Sequence, residues 1–183
     1  MSSPIARASS VTGERAAIVP FDEPIVSAEW IEEAAQAIAG RAAPCRLQDR
    51  LDDGDEGWWI IGDDRIVGAL CGRLVRVTSE AGSQALIWTW LAIDARWRAF
   101  GYGGAAVPLL EQAAHQAGAE LALAPLPPDN GVALYFWLRL GYTPLRSVAV
   151  DPDDRPKGVA PDALWMQRPL DPLRSADPRH AEE

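Results

Sequence analysis

The sequence is short of cysteine, histidine and positive charge. It holds two cysteines and two histidines in 183 residues. Cys45 and Cys71 lie far apart, and there is no CxxC pair or Cys/His cluster, so no metal site is expected. Cys71 falls in an apolar strand pattern and reads as a small core residue; Cys45 falls in a loop. Lys and Arg total 17 against 26 Asp and Glu, a formal net charge of −9. That balance argues against nucleic-acid binding, which needs cations to neutralise phosphates. It is compatible with a cationic partner, although many soluble proteins are as acidic. No apolar run approaches the ~18 residues of a membrane span, and no long apolar stretch follows Arg7 to make a signal peptide. No membrane association and a cytoplasmic location are the expectations. What is present is a hydrophobic fraction of 48%, which suits one globular domain with a real core.

Residues 1–14 are polar and aperiodic and read as a tail, as do residues 171–183. The domain is expected over 15–170. Residues 16–21 read as a short strand. Ser27 can cap a helix over 28–39, with Trp30, Ile31, Ala34, Ala35 and Ile38 on one face. Residues 46–56 carry a run of acids that reads as a solvated loop or, alternatively, as a seat for an ammonium group. Strands are expected over 58–61, 65–77 and 85–93, joined as an antiparallel meander with a hairpin turn at Gly62-Asp63-Asp64. Gly68 and Gly72 inside the second of these suggest a bulge or close backbone contact.

The chain is organised around the stretch from 87 to 142, at the end of that meander. The third strand runs into Gly101, Gly103 and Gly104, then a helix ending near Gly118, a strand over 121–124, and a helix over 131–140 stopped by Gly141. Glycines let a backbone approach a ligand, and the first helical amides lack intrahelical acceptors. With the helix dipole they favour an anion, and Arg98 adds a cation. A diphosphate is the natural guest. Pro108 is expected to loosen the start of this helix. Glu111 and His115, four apart, read as an exposed polar face rather than a catalytic pair. The motif Gly101-x-Gly103-x-x-Ala106 also fits a dinucleotide fingerprint, but the next strand ends at Pro125 with no acidic residue and no βαβ unit precedes the turn. A structural turn that binds nothing is a further alternative.

Arg98-Ala-Phe-Gly101-Tyr-Gly103 resembles the (Q/R)xxGx(G/A) motif of the GCN5-related N-acetyltransferase (GNAT) family. Leu91-Ala-Ile93-Asp94 resembles the end of that family's fourth strand. Asn130-x-x-Ala133 with Phe136-Trp137-x-x-x-Gly141-Tyr142 resembles its second motif, and residues 163–170 its last strand. The resemblance implies a mixed α/β fold. Its central, mostly antiparallel sheet would have about seven strands flanked by helices, splayed between the fourth and fifth. It implies acetyl-CoA as co-substrate and no metal. Leu91, Ala92 and Ile93 would contact the pantetheine arm like an added strand. Arg98, Ala99, Phe100, Gly101, Tyr102, Gly103 and Gly104 would hold the diphosphate, with Gly103 facing the phosphates so that leucine there blocks binding. Asn130 would bond the arm or its loop, or simply cap its helix.

The implied reaction is N-acetylation of a primary amine, on a small molecule or a protein, by direct attack on the thioester. A homodimer is left open. Trp137 stands where the family usually has a tyrosine acting as acid, and indole has no dissociable proton near neutral pH. Tyr135, two positions earlier on the helix, is expected to face elsewhere. The general acid and base stay unassigned, with an acid from residues 49–56 or a water chain as candidates for the base. A non-catalytic acyl-CoA-binding or interaction domain of the same fold is the alternative. Trp88 and Trp90, two apart on one strand, are expected to share a face. With Trp58 and Trp59 they would form an aromatic wall for an acceptor, or ordinary core or interface packing.

Overall fold

The computed structural model describes residues 11–21, 54–77, 83–145, 150–151, 154–156, 159 and 161–170. The expected helix over 28–39, Cys45, the acids at 49–53 and the tail from 171 lie outside the described residues. Eight strands form one sheet in the order β1-β2-β3-β4-β5-β6-β8-β7. These are β1 (Val11–Thr12), β2 (Ala17–Pro20), β3 (Glu56–Gly62), β4 (Arg65–Arg76), β5 (Gln84–Ile93), β6 (Ala119–Leu126), β7 (Thr143–Pro144) and β8 (Leu164–Pro169). Only β5 and β6 run parallel; every other pairing is antiparallel. The strand beyond the expected count is β1, which pairs with β2. Described structure therefore begins at Val11, inside the stretch read as a tail.

The meander forms where the alternation is cleanest. Asp63 and Asp64 close the β3–β4 hairpin with positive φ (49° and 59°), the mirror-turn geometry that matches strand twist. In β3, Trp58, Trp59 and Ile60 are all buried, so the sheet is covered on both faces here. One face meets α1 (Tyr102–Gln116), whose Ala106, Val107, Leu110 and Ala114 join Trp58, Leu70, Leu86 and Trp88 in the main core. Pro108 does not loosen this helix. It lies exposed in the second turn and forfeits one bond, to the Gly104 carbonyl, while the helix runs through it. A shorter helix, α2 (Gly131–Arg139), follows β6.

The feature that positions the site is a fork. β5 and β6 pair only from Gln84 to Ile87 against Ala119 to Leu123. From Trp88 to Ile93, β5 has no strand on that side among the described residues. Two sequence features oppose zipping. Pro125 in β6 carries no ladder donor. Thr89 is an extra residue in β5, since Gly72 pairs with Trp88 and Cys71 with Trp90. Such a bulge bends and twists its strand. Gly72 permits it, because a Cβ there would sit 2.9 Å from the Ile87 carbonyl oxygen.

Candidate active site

At the open end of the fork, β5 passes into a short 3-10 turn, Ala95–Trp97, capped by Asp94. The Asp94 carboxylate accepts from the Arg96 amide at 2.9 Å and pairs with the Arg96 guanidinium at 2.7 Å. Those hydrogen bonds from Arg96 hold it below the usual carboxylate range. Arg98 donates through Nε to the Ile93 carbonyl at 3.0 Å, which fixes its stem while the residue stays exposed. Ala99 and Gly101 both have positive φ, 67° and 84°, and this reverses the chain into α1. The first helical bond runs from the Ala105 amide to the Gly101 carbonyl at 3.0 Å. The amides of Tyr102, Gly103 and Gly104 therefore have no intrahelical acceptor.

The rim of this turn carries aromatic and charged groups. Phe100 is 58% exposed and stacks on Tyr102. The Tyr102 hydroxyl donates to Asp63 at 2.6 Å, and that bond, with burial behind it, raises the phenol pKa. A second cation arrives from the far edge of the sheet. Nη1 of Arg15, in the β1–β2 turn, would lie 2.9 Å from a Cβ built on Gly101. Arg15 is exposed and lies against the positive end of α1. Gly103 departs from expectation. It is buried, and a Cβ there would meet Phe136 at 3.4 Å and Ile93 at 3.5 Å rather than an open face. A Cβ there makes ordinary contacts, and the longer leucine side chain would press on Phe136 of α2 and Ile93 of β5.

At the closed end of the fork lies a buried polar chain. Trp88 donates through Nε1 to the Tyr142 hydroxyl at 2.7 Å, and that hydroxyl donates to Glu111 Oε1 at 2.5 Å. Arg168 Nη1 reaches Glu111 Oε2 at 3.0 Å and the Leu140 carbonyl at 3.1 Å. The Trp137 ring packs 5.6 Å from Trp88 and 4.6 Å from Tyr142 between centroids. Burial raises the Glu111 pKa against the opposing pull of Tyr142 and Arg168. Burial and the neighbouring Glu111 charge push the Tyr142 phenol well above its usual value. Glu111 is thus no exposed polar face, because its partners come from distant parts of the chain. His115 Nδ1 lies 3.0 Å from the Ala119 carbonyl oxygen.

Residues 23–142 match the acetyltransferase (GNAT) family. The chain belongs to the GNAT acetyltransferase family. No curated protein sequence matches it. Solved structures support the fold. A putative GNAT acetyltransferase from Desulfovibrio desulfuricans is 16% identical with a TM-score of 0.58, over 85% of this chain and 99% of that one. A GNAT acetyltransferase from Elizabethkingia anophelis with acetyl-CoA bound is 12% identical at TM-score 0.56, over 86% and 99%. The ribosomal-protein-S18-alanine N-acetyltransferase of Escherichia coli is 14% identical at TM-score 0.53, over 85% and 94%.

Within this GNAT fold, the sequence-read residues fall in three places. Leu91, Ala92 and Ile93 lie where β5 pairs with β4 but, among the described residues, with no strand on its β6 side, although the Ile93 carbonyl is already taken by Arg98. Residues 98–104 form the turn. Asn130 caps α2, its Oδ1 accepting from the Ala133 amide at 3.0 Å. Trp137 is buried at the closed end, and Tyr135 faces outward. The aromatic wall does not form. The Thr89 bulge shifts alternation by one, so Trp58 and Trp88 join the main core while Trp59 and Trp90 lie in a separate cluster with Ile66 and Ala69. Asp55 is paired with Arg73 at 2.7 Å, both side chains largely buried. Cys71 is buried, and burial with the nearby Asp55 charge pushes its thiol far above the range of a nucleophile. Sequence reading missed Arg15 and the Glu111–Tyr142–Trp88 chain. The signal for the second was Glu111 standing among apolar residues on a core helix.

Proposed function

We propose that the protein is an acetyl-CoA-dependent N-acetyltransferase that acts on a primary amine of a small molecule or protein. The observation that carries this reading is the fork, with free helical amides at its mouth and an unpaired β5 edge inside it. An extended arm of alternating amides can complete that edge as a strand would. A diphosphate attached to the arm then meets the amides of Tyr102 to Gly104, with Arg98 and Arg15 as flanking cations. The residues present therefore fit coenzyme A.

In the reaction, the neutral amine nitrogen attacks the thioester carbonyl. The N–C bond forms, the C–S bond breaks, and coenzyme A leaves as a thiolate. The amine proton passes to a base, for which an acid of residues 49–56 and a water chain remain the candidates. Backbone amides of the β5 edge can stabilise the developing oxyanion without any side chain. Trp137 supplies no proton, and the Tyr142 hydroxyl is committed to Trp88 and Glu111. This absence of an acid favours a second reading, a non-catalytic acyl-CoA-binding or interaction domain of the same fold.

A thiol-release assay with acetyl-CoA over simple amines, polyamines, aminoglycosides and peptides separates the two. Turnover with any amine supports the enzyme. Tight coenzyme A binding with no turnover across the panel supports the binding domain.

A further inference from the structure

We infer that Trp137 and Trp88 form a stop that limits the acyl group of the donor to a short chain. This rests on the reading of the fork as the coenzyme A pocket. With the diphosphate at the mouth, beside Gly101 to Gly104, the arm runs along β5 from Ile93 toward Leu91. Its thioester end then arrives at the place where β5 and β6 come together. Ile87 is the last residue of β5 paired with β6, and Trp88 is the next. The acyl group, carried beyond the sulfur, meets the Trp88 and Trp137 rings.

The stop is rigid because it is held from behind. Trp88 is 2% exposed, Trp137 4%, Tyr142 1% and Glu111 4%. Trp88 cannot swing without leaving its indole N–H unpaired in the interior, at a cost in desolvation. Trp137 is wedged between Trp88 and Tyr142, with Phe136 beside it at 5.2 Å. Four separate elements converge on this point: α1 through Glu111, β5 through Trp88, β8 through Arg168, and α2 with the turn after it through Trp137 and Tyr142. Close-packed interiors do not open to admit extra methylenes. Trp137 is also broader than the tyrosine the family usually places here, so the change that removes an acid also fills space.

Thr89 adds a polar observation at the same level. Its hydroxyl oxygen is buried with no hydrogen-bond partner. Buried hydroxyls without partners are uncommon and call for an explanation. A thioester carbonyl arriving beside Trp88 is a suitable acceptor for it.

The test needs no acceptor substrate. Dissociation constants for coenzyme A, acetyl-CoA, butyryl-CoA and hexanoyl-CoA are measured by calorimetry on the wild-type protein, Trp137→Leu and Trp137→Phe. Circular dichroism and thermal melting establish that each variant is folded. The readout is the ratio of hexanoyl-CoA to coenzyme A affinity within each protein, so a general loss of binding cancels. Wild type is expected to disfavour hexanoyl-CoA by roughly tenfold or more, the scale of discrimination by a filled apolar pocket. Trp137→Leu should remove most of that difference. Trp137→Phe, which keeps a ring against Trp88, should relieve butyryl-CoA first, and it decides the matter if the leucine variant does not fold. Equal affinity of wild type for acetyl-CoA and hexanoyl-CoA, or an unchanged ratio in a folded variant, overturns the stop while leaving the pocket intact. Failure of wild type to bind coenzyme A at all removes the pocket itself.

Discussion

Glu111 shows how one residue can be misread from its neighbours in sequence and understood from its partners in space. Its carboxylate is buried, yet it accepts from Tyr142 and pairs with Arg168. Burial is the larger influence and raises its pKa. A carboxyl of this kind holds its proton more tightly in the folded state than in the unfolded one. Its contribution to stability is therefore complete below the ordinary glutamate value of about 4.3 and is lost as pH rises through the raised value. Urea unfolding of Glu111→Gln, which keeps an acceptor for Tyr142, should show a flatter decline from about pH 4.3 toward neutrality than wild type; identical slopes would contradict this account. Tyr142→Phe strands the Trp88 N–H and leaves Glu111 with Arg168 alone, and should destabilise the protein by about 1–3 kcal/mol in the same measurement. Thr89→Val removes an orphaned hydroxyl, so it should leave stability unchanged or slightly higher. If Thr89 meets the thioester, the same variant weakens acetyl-CoA binding relative to coenzyme A; an unaltered ratio of the two affinities places the thioester elsewhere.

At the scale of elements, the turn from Asp94 to Gly104 is the most legible part of the chain. Its signals are local: glycines that tolerate the left-handed region, and a helix directly after them; the Asp94 cap was not read from the sequence. The Asn130 cap and the Gly141 stop are legible for the same reason. Asn130→Ala should cost about 0.5–2 kcal/mol of stability through the lost bond to the Ala133 amide, read by thermal unfolding. What the sequence hides depends on residues far apart or on a shift in count. Trp88 and Tyr142 are 54 residues apart, and Tyr142 and Glu111 are 31 apart; no local pattern announces either pair. The Thr89 bulge reverses alternation partway along a strand that otherwise reads as regular, so strict alternation puts Trp88 and Trp90 on one face. Arg15 is hidden because its turn lies in a stretch with little periodicity, upstream of the residues that match the family. A cation against a helix N-terminus is unfavourable by itself, and a bound diphosphate reverses the sign. Arg15→Gln should therefore weaken coenzyme A binding several-fold and reduce its dependence on salt, without affecting a pantetheine thioester that lacks phosphates. Equal losses for both ligands would indicate a structural role instead.

For the whole molecule, the question is how a continuous sheet comes to open into a fork. Antiparallel pairing carries the chain from β1 to β5 and again from β6 through β8 to β7. The single parallel contact, between β5 and β6, is left short by Pro125 and the Thr89 bulge. The hydrophobic core closes the fork below, α1 presents its amides above, and one strand edge remains available between them. The measurement that tests this most directly is a crystal structure of the protein grown with coenzyme A. The account predicts diphosphate density on the amides of Tyr102 to Gly104, with the arm laid along β5 from Ile93 toward Trp88. Coenzyme A bound on another surface, or a complex in which β5 and β6 pair beyond Ile87, would contradict it.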